Sequence, residues 1–272
     1  MSVHGVLAVA AAERSKLADQ LKVRLVLLLC VASPFAFVAA LRVQSEAPTD
    51  TLFGLSVTDS GFAVPLVVLG FAALWALPVL ASLVGGDVFS SEDRYGTWMT
   101  VLTRSRSRSE VFAGKALTAL SFTILGVAAL AASSVAAGVL VIGKQPLVDL
   151  SGGLLHPSQA LVRVGLAWLS VLAPTFSFVG LAVLVSVVTR SSAAGIGVPV
   201  VLGLTMQLVA MVDGPEIVRR VLIGSAFGAW HGLLTEPLYY RPLIYGLVVS
   251  SLYLVVCLAV AYRVLRLRDV GR

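Results

Sequence analysis

Charged side chains are scarce in this sequence: Asp, Glu, Lys and Arg make up 12% of its 272 residues, and the mean hydropathy is +0.96. Soluble chains average about a quarter charged residues, so the composition excludes an ordinary soluble protein. Several runs of 18 or more residues are almost free of charge, which is typical of membrane-spanning helices. These runs do not alternate polar and apolar residues as barrel strands do. The sequence therefore predicts an all-α polytopic membrane protein.

Residue types that carry chemistry are also few. Cys30 and Cys257 fall inside apolar runs, and His4, His156 and His231 are scattered without the spacing of metal ligands. Acidic residues at membrane depth, which ion-driven transporters use, are missing from the spans. We therefore expect no catalytic, cofactor or metal residue on this chain, which is predicted not to be an enzyme. Any energy for transport has to come from another protein.

Two motif-like stretches have simpler explanations. Residues 138–145 read GVLVIGKQ and nearly match a phosphate-binding loop, but Gln145 replaces the required hydroxyl, and the preceding residues continue an apolar run. The run Arg104-Ser-Arg-Ser-Arg108 lies between two predicted spans, where it fixes membrane topology. We therefore expect no nucleotide site on the chain and no nucleic-acid partner.

The apolar runs predict six spans, roughly at residues 23–41, 62–84, 114–142, 159–189, 193–212 and 243–265. Small residues at four-residue spacing in the third span predict close helix packing: Ala132, Ser134, Ala136 and Gly138. Residues 5–22 mix small apolar and charged side chains and predict an amphipathic helix at the membrane interface, with a solvated cytoplasmic helix as the alternative. Within residues 213–241 the uncharged run Val221–Leu234 is too short to span, so this piece is predicted to be an outer re-entrant segment.

Basic residues set the expected orientation. With both termini cytoplasmic, six of the 20 basic residues lie outside or near the outer edge, and the other 14 lie inside: the six are Arg42, Lys144, Arg163, Arg219, Arg220 and Arg241. The sequence thus predicts a multi-pass protein with both ends in the cytoplasm.

The longest strongly polar stretch connects the second and third predicted spans, and residues 87–108 form its loop. Glu92, Asp93 and Arg94 precede a Gly96-Thr97 break, and an apolar face follows at the helical spacing of Trp98, Val101 and Leu102. Ser109 is predicted to cap the next helix. This pattern predicts a short amphipathic helix whose surface docks a separate cytoplasmic protein.

The same stretch resembles the signature of ABC-2 type transporter permeases. The matching residues are Glu92, Gly96-Thr97, Leu102 and Gly114-Lys115, whereas Val101 replaces a leucine and Ser105 replaces a proline of the usual pattern. The six-span layout over residues 1–272 is also similar to the single transmembrane domain of that family.

The resemblance implies a transmembrane subunit that pairs with a second, identical or related permease subunit. A dimer of cytoplasmic ABC ATPases would supply the ATP and Mg sites. The docking helix would then be a coupling helix formed by Glu92, Asp93, Arg94, Gly96, Thr97, Trp98, Val101 and Leu102. Thr175, Ser177, Thr205 and Gln207 are polar side chains within the spans that are expected along a substrate path.

The expected function is export of a hydrophobic or amphipathic compound across the plasma membrane. The compound is expected to be a drug, an antibiotic or a lipid-like molecule, and membrane lipid is expected to surround the protein. Two alternatives stay open. One is an ABC-2 type permease that serves copper-enzyme maturation or sodium extrusion. The other is a membrane scaffold or sensor that recruits a cytoplasmic protein through the same loop and transports nothing.

Overall fold

The computed structural model describes residues 2–43, 51–98, 107–211 and 221–267, and it is mostly helical. In chain order the helices are α1 (Val3–Ala18), α2 (Leu21–Val43), α3 (Val64–Gly85), α4 (Ser90–Tyr95), α5 (Arg108–Val141), α6 (Pro157–Ser170), α7 (Leu172–Thr189), α8 (Ser192–Met211), α9 (Ile223–Ala226) and α10 (Arg241–Leu267). The other elements are a 3-10 turn, Ala229–Leu234, and a two-stranded antiparallel sheet formed by β1 (Leu147–Val148) and β2 (Leu154–Leu155).

Within those residues, six helical stretches are long and apolar enough to cross a membrane, which confirms the expected number. They are α2, α3, α5, the α6–α7 pair, α8 and α10. The α3 and α6–α7 stretches form the middle of the bundle, because 61% of each apolar window is buried, against 17% for α2, α8 and α10. The three outer helices therefore present most of their apolar side chains away from the protein.

The fourth predicted span is broken between Ser170 and Leu172. Pro174 explains the break, because it has no N–H to donate to the Ser170 carbonyl and its ring would clash with that oxygen. Helix α3 also departs from regular geometry, because it contains a π-helical turn at Ala72–Ala76. The Gln207 side chain donates to the carbonyls of Ala73 and Leu74, at 3.4 and 2.8 Å, and so supports this turn from α8.

The first helix packs along α5. Ser2 caps it by accepting from the Gly5 N–H, and the Ser2 N–H and hydroxyl both donate to Glu110 at the start of α5, at 2.8 and 2.9 Å. Ala10 and Leu17 are buried. The helix covers most of the predicted residues 5–22, but the last two already belong to α2.

The prediction that Ser109 caps the third span is wrong. Ser107 is the cap: its hydroxyl accepts from the Glu110 N–H at 3.2 Å, and the Glu110 carboxylate accepts from the Ser107 N–H at 3.2 Å. This reciprocal capping box satisfies two backbone donors that the first turn of a helix leaves free.

The small residues of the third span do not share one role. Ser134 and Gly138 are buried, and the Gly61 carbonyl oxygen approaches Gly138 so closely that a Cβ there would lie 2.1 Å away. Ala132 and Ala136 instead face a groove between α5 and α6. Close packing is confirmed only for the first pair.

One end of the bundle carries residues 87–98 and is called the hairpin end. The opposite end, called the far end, holds the two-stranded sheet β1–β2, α9 and the 3-10 turn. Phe53 and Trp230 stack there with ring centroids 6.3 Å apart, and the Leu150 N–H donates to the Leu234 carbonyl at 2.8 Å. The described part of residues 213–241 forms short helical turns packed against α10 and does not span the bundle.

Candidate functional site

The segment between α3 and α5, residues 87–98, is called the hairpin segment, and its helix α4 is shorter than expected. It ends at Tyr95, because Gly96 adopts the left-handed conformation with φ of 63°. The Thr97 N–H then donates to the Glu92 carbonyl at 3.0 Å, which closes the last turn. A glycine reaches this conformation without a Cβ penalty. The break expected at Gly96-Thr97 is therefore present, and Trp98 after it is helical again. Val101 and Leu102 lie outside the described residues.

A buried ionic group holds the hairpin segment to the two helices beside it. We call this group the Lys115 cluster: Glu13, Lys16, Glu92 and Lys115. The Lys115 side chain has no exposed surface, and its Nζ donates to the Val88 carbonyl at 2.9 Å and lies 2.9 Å from Glu92 Oε1 and 3.1 Å from Glu13 Oε2. An ammonium group has three N–H donors, so these three acceptors satisfy it completely.

The other side of the cluster reaches the surface through Lys16. Its Nζ lies 2.9 Å from Glu13 Oε1 and 3.3 Å from Glu92 Oε1, and 55% of the side chain is exposed. The Thr97 hydroxyl donates to Glu92 Oε2. Two carboxylates and two ammonium groups make the cluster neutral, which is the condition under which buried charges are tolerated.

Neighbouring charges and hydrogen bonds in the cluster shift the pKa values of Glu92 and Lys16. Burial alone would raise the pKa of Glu92, but the Lys115 charge, the Thr97 hydroxyl and the Lys16 charge together lower it below its ordinary value of 4.5. Burial alone would lower the pKa of Lys16, but the hydrogen bond and charge of Glu13, followed by Glu92, raise it above 10.5. Glu92 and Lys16 are therefore both ionised near neutral pH.

A second polar group, the Asp87 cluster, ties the start of the hairpin segment to α2 and α8: Lys22, Asp87, Arg94 and Ser192. Asp87 Oδ2 lies 2.5 Å from Lys22 Nζ, and Asp87 Oδ1 accepts from Arg94 at 2.9 Å and from the Ser192 hydroxyl at 2.7 Å. Burial would raise the pKa of Asp87, but Lys22, Ser192 and Arg94 lower it below 3.8. The hairpin segment is thus fixed from α1, α2, α5 and α8.

Trp98 completes this attachment from inside. Only 7% of it is exposed, its ring stacks on Phe89 with centroids 6.5 Å apart, and its indole N–H donates to Asp93 Oδ1 at 3.0 Å. Phe89 contacts Phe112, which contacts Tyr262 of α10, both with centroids 5.3 Å apart. The expectation that Trp98 belongs to an exposed docking face is therefore wrong, because the chain buries this side chain in its own aromatic core.

The exposed tip of the hairpin segment consists of Arg94, Tyr95 and Gly96. Tyr95 is 71% exposed, and the Arg94 guanidinium lies over its ring, 5.7 Å from the centroid. Of the predicted coupling residues that the structure describes, Glu92 and Trp98 are buried, while Asp93 and Thr97 are half-buried. Tyr95 is therefore the exposed aromatic side chain of the described hairpin segment.

The four predicted substrate-path residues are not gathered in one cavity. Thr175 is buried and donates to the Val171 carbonyl, and Ser177 is buried between α7 and α10, where it donates to the Ser250 carbonyl at 2.8 Å. Thr205 donates to the Val201 carbonyl on an exposed face of α8, and Gln207 supports the π-helical turn of α3. Each side chain bonds to backbone, which is the common role of polar residues within spans.

Sequence reasoning missed Glu13, Lys16, Lys22, Asp87 and Ser192 as site residues. A signal existed for Glu13 and Lys16, since an acid and a lysine three residues apart on a helix form a pair. Lys115 also stands out as a lone charge at the beginning of an apolar run. Within the described residues, no group of three or more His, Cys, Asp or Glu side chains is arranged to hold a metal ion.

Acid is expected to weaken the fold through these clusters. Glu92 and Asp87 have lowered pKa values in the folded protein, so the stability they contribute is complete above their unfolded values and is lost as the pH falls through the folded ones. The melting temperature in detergent should therefore fall as the pH is lowered below about 4.5. Glu92→Gln should flatten this decline, and an equally steep decline in that variant would contradict the assignment to Glu92.

Gly114→Leu is expected to push α1 away from α5. A Cβ at Gly114 would lie 2.6 Å from Val9 Cγ1 and 3.0 Å from the Val6 carbonyl oxygen. Overpacking of this kind lowers the free energy of unfolding by about 1–3 kcal/mol. Thermal unfolding measures the loss, and limited proteolysis should cleave α1 from the variant sooner. Gly197→Leu is the matched control, because open space surrounds that position on α8. Equal unfolding of the two variants would show that α1 does not depend on this contact.

The fold and the clusters define an α-helical polytopic membrane protein with a fixed polar hairpin at one end of its bundle. Residues 26–271 match the family described as "Protein of unknown function (DUF2705)", and the chain belongs to this family. A comparison with curated proteins found no match.

Proposed function

We propose that this chain is the membrane-spanning permease subunit of an ABC exporter. It pairs with a second, identical or related permease subunit in the plasma membrane, with both termini cytoplasmic. A separate dimer of cytoplasmic ABC ATPases binds ATP and Mg and hydrolyses the ATP. The exported compound is hydrophobic or amphipathic, because largely uncharged spans offer little with which to hold a small ion.

One observation carries this proposal. The hairpin segment is held to several helices through the Lys115 and Asp87 clusters, while Tyr95 at its tip is exposed. A rigidly attached element with an accessible tip transmits displacement to the helices that hold it. It fits a coupling element, and the resemblance of Glu92, Gly96-Thr97 and Gly114-Lys115 to the permease signature supports the same role.

In this proposal, closure of the ATPase dimer moves the hairpin segment, and α1, α2, α5 and α8 move with it. The spans then alternate between inward-open and outward-open states as rigid bodies. ATP shifts this equilibrium only if the ATPase contacts the tip differently in the two states. Glu92 and Lys115 are positioning residues here, since they hold the segment without touching the partner themselves.

The basic residues support the orientation. Arg94, Lys115 and Lys22 lie at the hairpin end, and the positive-inside bias assigns such an end to the cytoplasm. The same exposed tip also suits a scaffold or sensor that recruits a cytoplasmic protein without transport. Another ABC-2 substrate, in copper-enzyme maturation or sodium extrusion, would leave the hairpin segment unchanged.

The test is purification of the tagged protein from its own cells in mild detergent, followed by mass spectrometry and a Mg-ATP hydrolysis assay. We expect a cassette ATPase to copurify in stoichiometric amount. Reconstituted in vesicles with that ATPase, the complex should move an amphipathic fluorescent dye when ATP is added. Absence of a cassette ATPase would overturn the proposal, and ATP turnover without movement of dyes, sodium or copper would favour the scaffold.

A further inference from the structure

A long apolar groove separates α5 from α6 and has no part in the proposed coupling. Its volume is about 950 Å³, and residues of both helices line it together with Phe62. This volume is at the upper end of the roughly 300–1,000 Å³ that small-molecule pockets occupy. The groove is therefore large enough for a molecule and is not a packing defect.

Small residues create the groove. Ala128, Ala132 and Ala136 recur every four residues along α5, so they form one stripe of its surface, and Gly165 faces them from α6. Apart from the neighbouring backbone of α6 itself, no atom lies within 4 Å of the position that a Cβ on Gly165 would take. A stripe without side chains beyond Cβ leaves a channel parallel to the helix axes.

The groove has the length of an acyl chain. On α5 it extends from Ile124 to Leu140, which corresponds to about 24 Å at the rise of an α-helix. The hydrocarbon core of a bilayer is about 30 Å thick, so the groove extends beyond the middle of the core. A chain lying in it would stay parallel to its neighbours in the bilayer.

A positive charge marks one end of the groove. Lys144 lines it just beyond the last residue of α5 and is exposed, and none of the salt bridges among the described residues includes it. Basic groups beside a crevice between transmembrane helices attract anionic lipid head groups.

We propose that this groove binds one acyl chain of an anionic bilayer phospholipid, whose phosphate pairs with Lys144. The apolar walls suit a hydrocarbon chain, and the cation at the far end suits the head group of the leaflet on that side. The proposal does not depend on the ATPase partner, since it concerns a site between two helices of this chain alone.

Trp168 provides a built-in reporter of occupancy. It lines the groove and is only 3% exposed, whereas Trp75 on α3 is 56% exposed and would report any surrounding lipid. We therefore use the full chain with Trp75→Phe, reconstituted in vesicles of unlabelled phosphatidylcholine. Phosphatidylglycerol or phosphatidylcholine with mid-chain bromines is added at matched mole fractions, and the difference between this chain and its Trp168→Phe variant isolates the Trp168 signal.

We expect brominated phosphatidylglycerol to quench Trp168 at about fivefold lower mole fraction than brominated phosphatidylcholine, as one lysine near the surface contributes about 1 kcal/mol. Lys144→Gln should abolish this preference, while Arg263→Gln, which removes an exposed cation at the hairpin end, should retain it. Ala132→Phe with Ala136→Phe should prevent quenching by both lipids, and Ala36→Phe on the exposed face of α2 should not.

Equal quenching by both lipids, or a preference that survives Lys144→Gln, would overturn the proposal. Absence of Trp168 quenching would also overturn it, and would leave the groove to another occupant such as the exported compound. Because no ATP is added, failure here is distinguishable from failure of the proposed export function.

Discussion

Lys115→Met is expected to lower the free energy of unfolding by about 3–5 kcal/mol, the usual cost of removing one partner from a buried ion pair. The Lys115 ammonium has no exposed surface and contacts Glu13, Glu92 and the Val88 carbonyl. Its loss leaves two buried carboxylates with Lys16 as the remaining member of the cluster. SDS titration in mixed micelles measures the change, and a loss below about 1 kcal/mol would show that the cluster does not stabilise the hairpin end.

A double-mutant cycle separates the ionic contribution from lost packing. Glu92→Gln combined with Lys115→Met leaves the Glu13–Lys16 pair, which is charge-balanced. The double variant should therefore be more stable than the sum of the single losses predicts, by about 1–3 kcal/mol. Lys144→Met is the control for loss of a lysine, and at this exposed position the change should stay within about 0.5 kcal/mol. Strict additivity would contradict the pairing of Glu92 with Lys115.

Tyr95→Ala is expected to weaken association with the proposed cassette ATPase by about 30-fold or more while the melting temperature stays unchanged. An aromatic anchor at an interface contributes about 2 kcal/mol or more, which corresponds to this factor. Tyr95 is 71% exposed, so its removal should leave the fold unchanged. Mg-ATPase activity that copurifies with the tagged chain provides the measurement.

Two variants control this experiment. Tyr240→Ala makes the same change at an exposed position at the far end and should leave binding of the proposed ATPase unchanged. Trp98→Ala should instead destabilise the fold by about 3–5 kcal/mol, since Trp98 is buried against Phe89. If Tyr95→Ala retained the full activity while Tyr240→Ala lost it, the hairpin tip would not be the docking element.

The spans were predictable because each depends on its own residues. An uncharged run of about 20 residues has to form a helix in lipid, whatever surrounds it, since no water is available to its backbone. The predicted ends agree with the structure to within a few residues at most positions, and the largest difference is at α5, which begins at Arg108 instead of Gly114. That start is set by the capping box of Ser107 and Glu110, which lies in a polar stretch before the apolar run begins.

The site was less predictable because its partners are distant in sequence. Glu92 pairs with Lys115, 23 residues later, and with Lys16, 76 residues earlier. Sequence showed that Glu92 and Trp98 lie in a polar loop, and such loops normally expose their side chains. It did not show that α1 and α5 turn complementary charges toward Glu92, or that Phe89 and Phe112 enclose Trp98.

The sequence by itself determined that this chain is a helical membrane protein, where its spans lie, and that a polar hairpin joins the second and third of them. These properties follow from the local balance between apolar side chains and backbone hydrogen bonding. Only the tertiary structure decided which hairpin residues point inward, that Tyr95 is the accessible aromatic at the tip, and that an alanine stripe on α5 leaves a groove beside α6. Those outcomes depend on how helices far apart in sequence are packed, and packing is a property of the whole bundle.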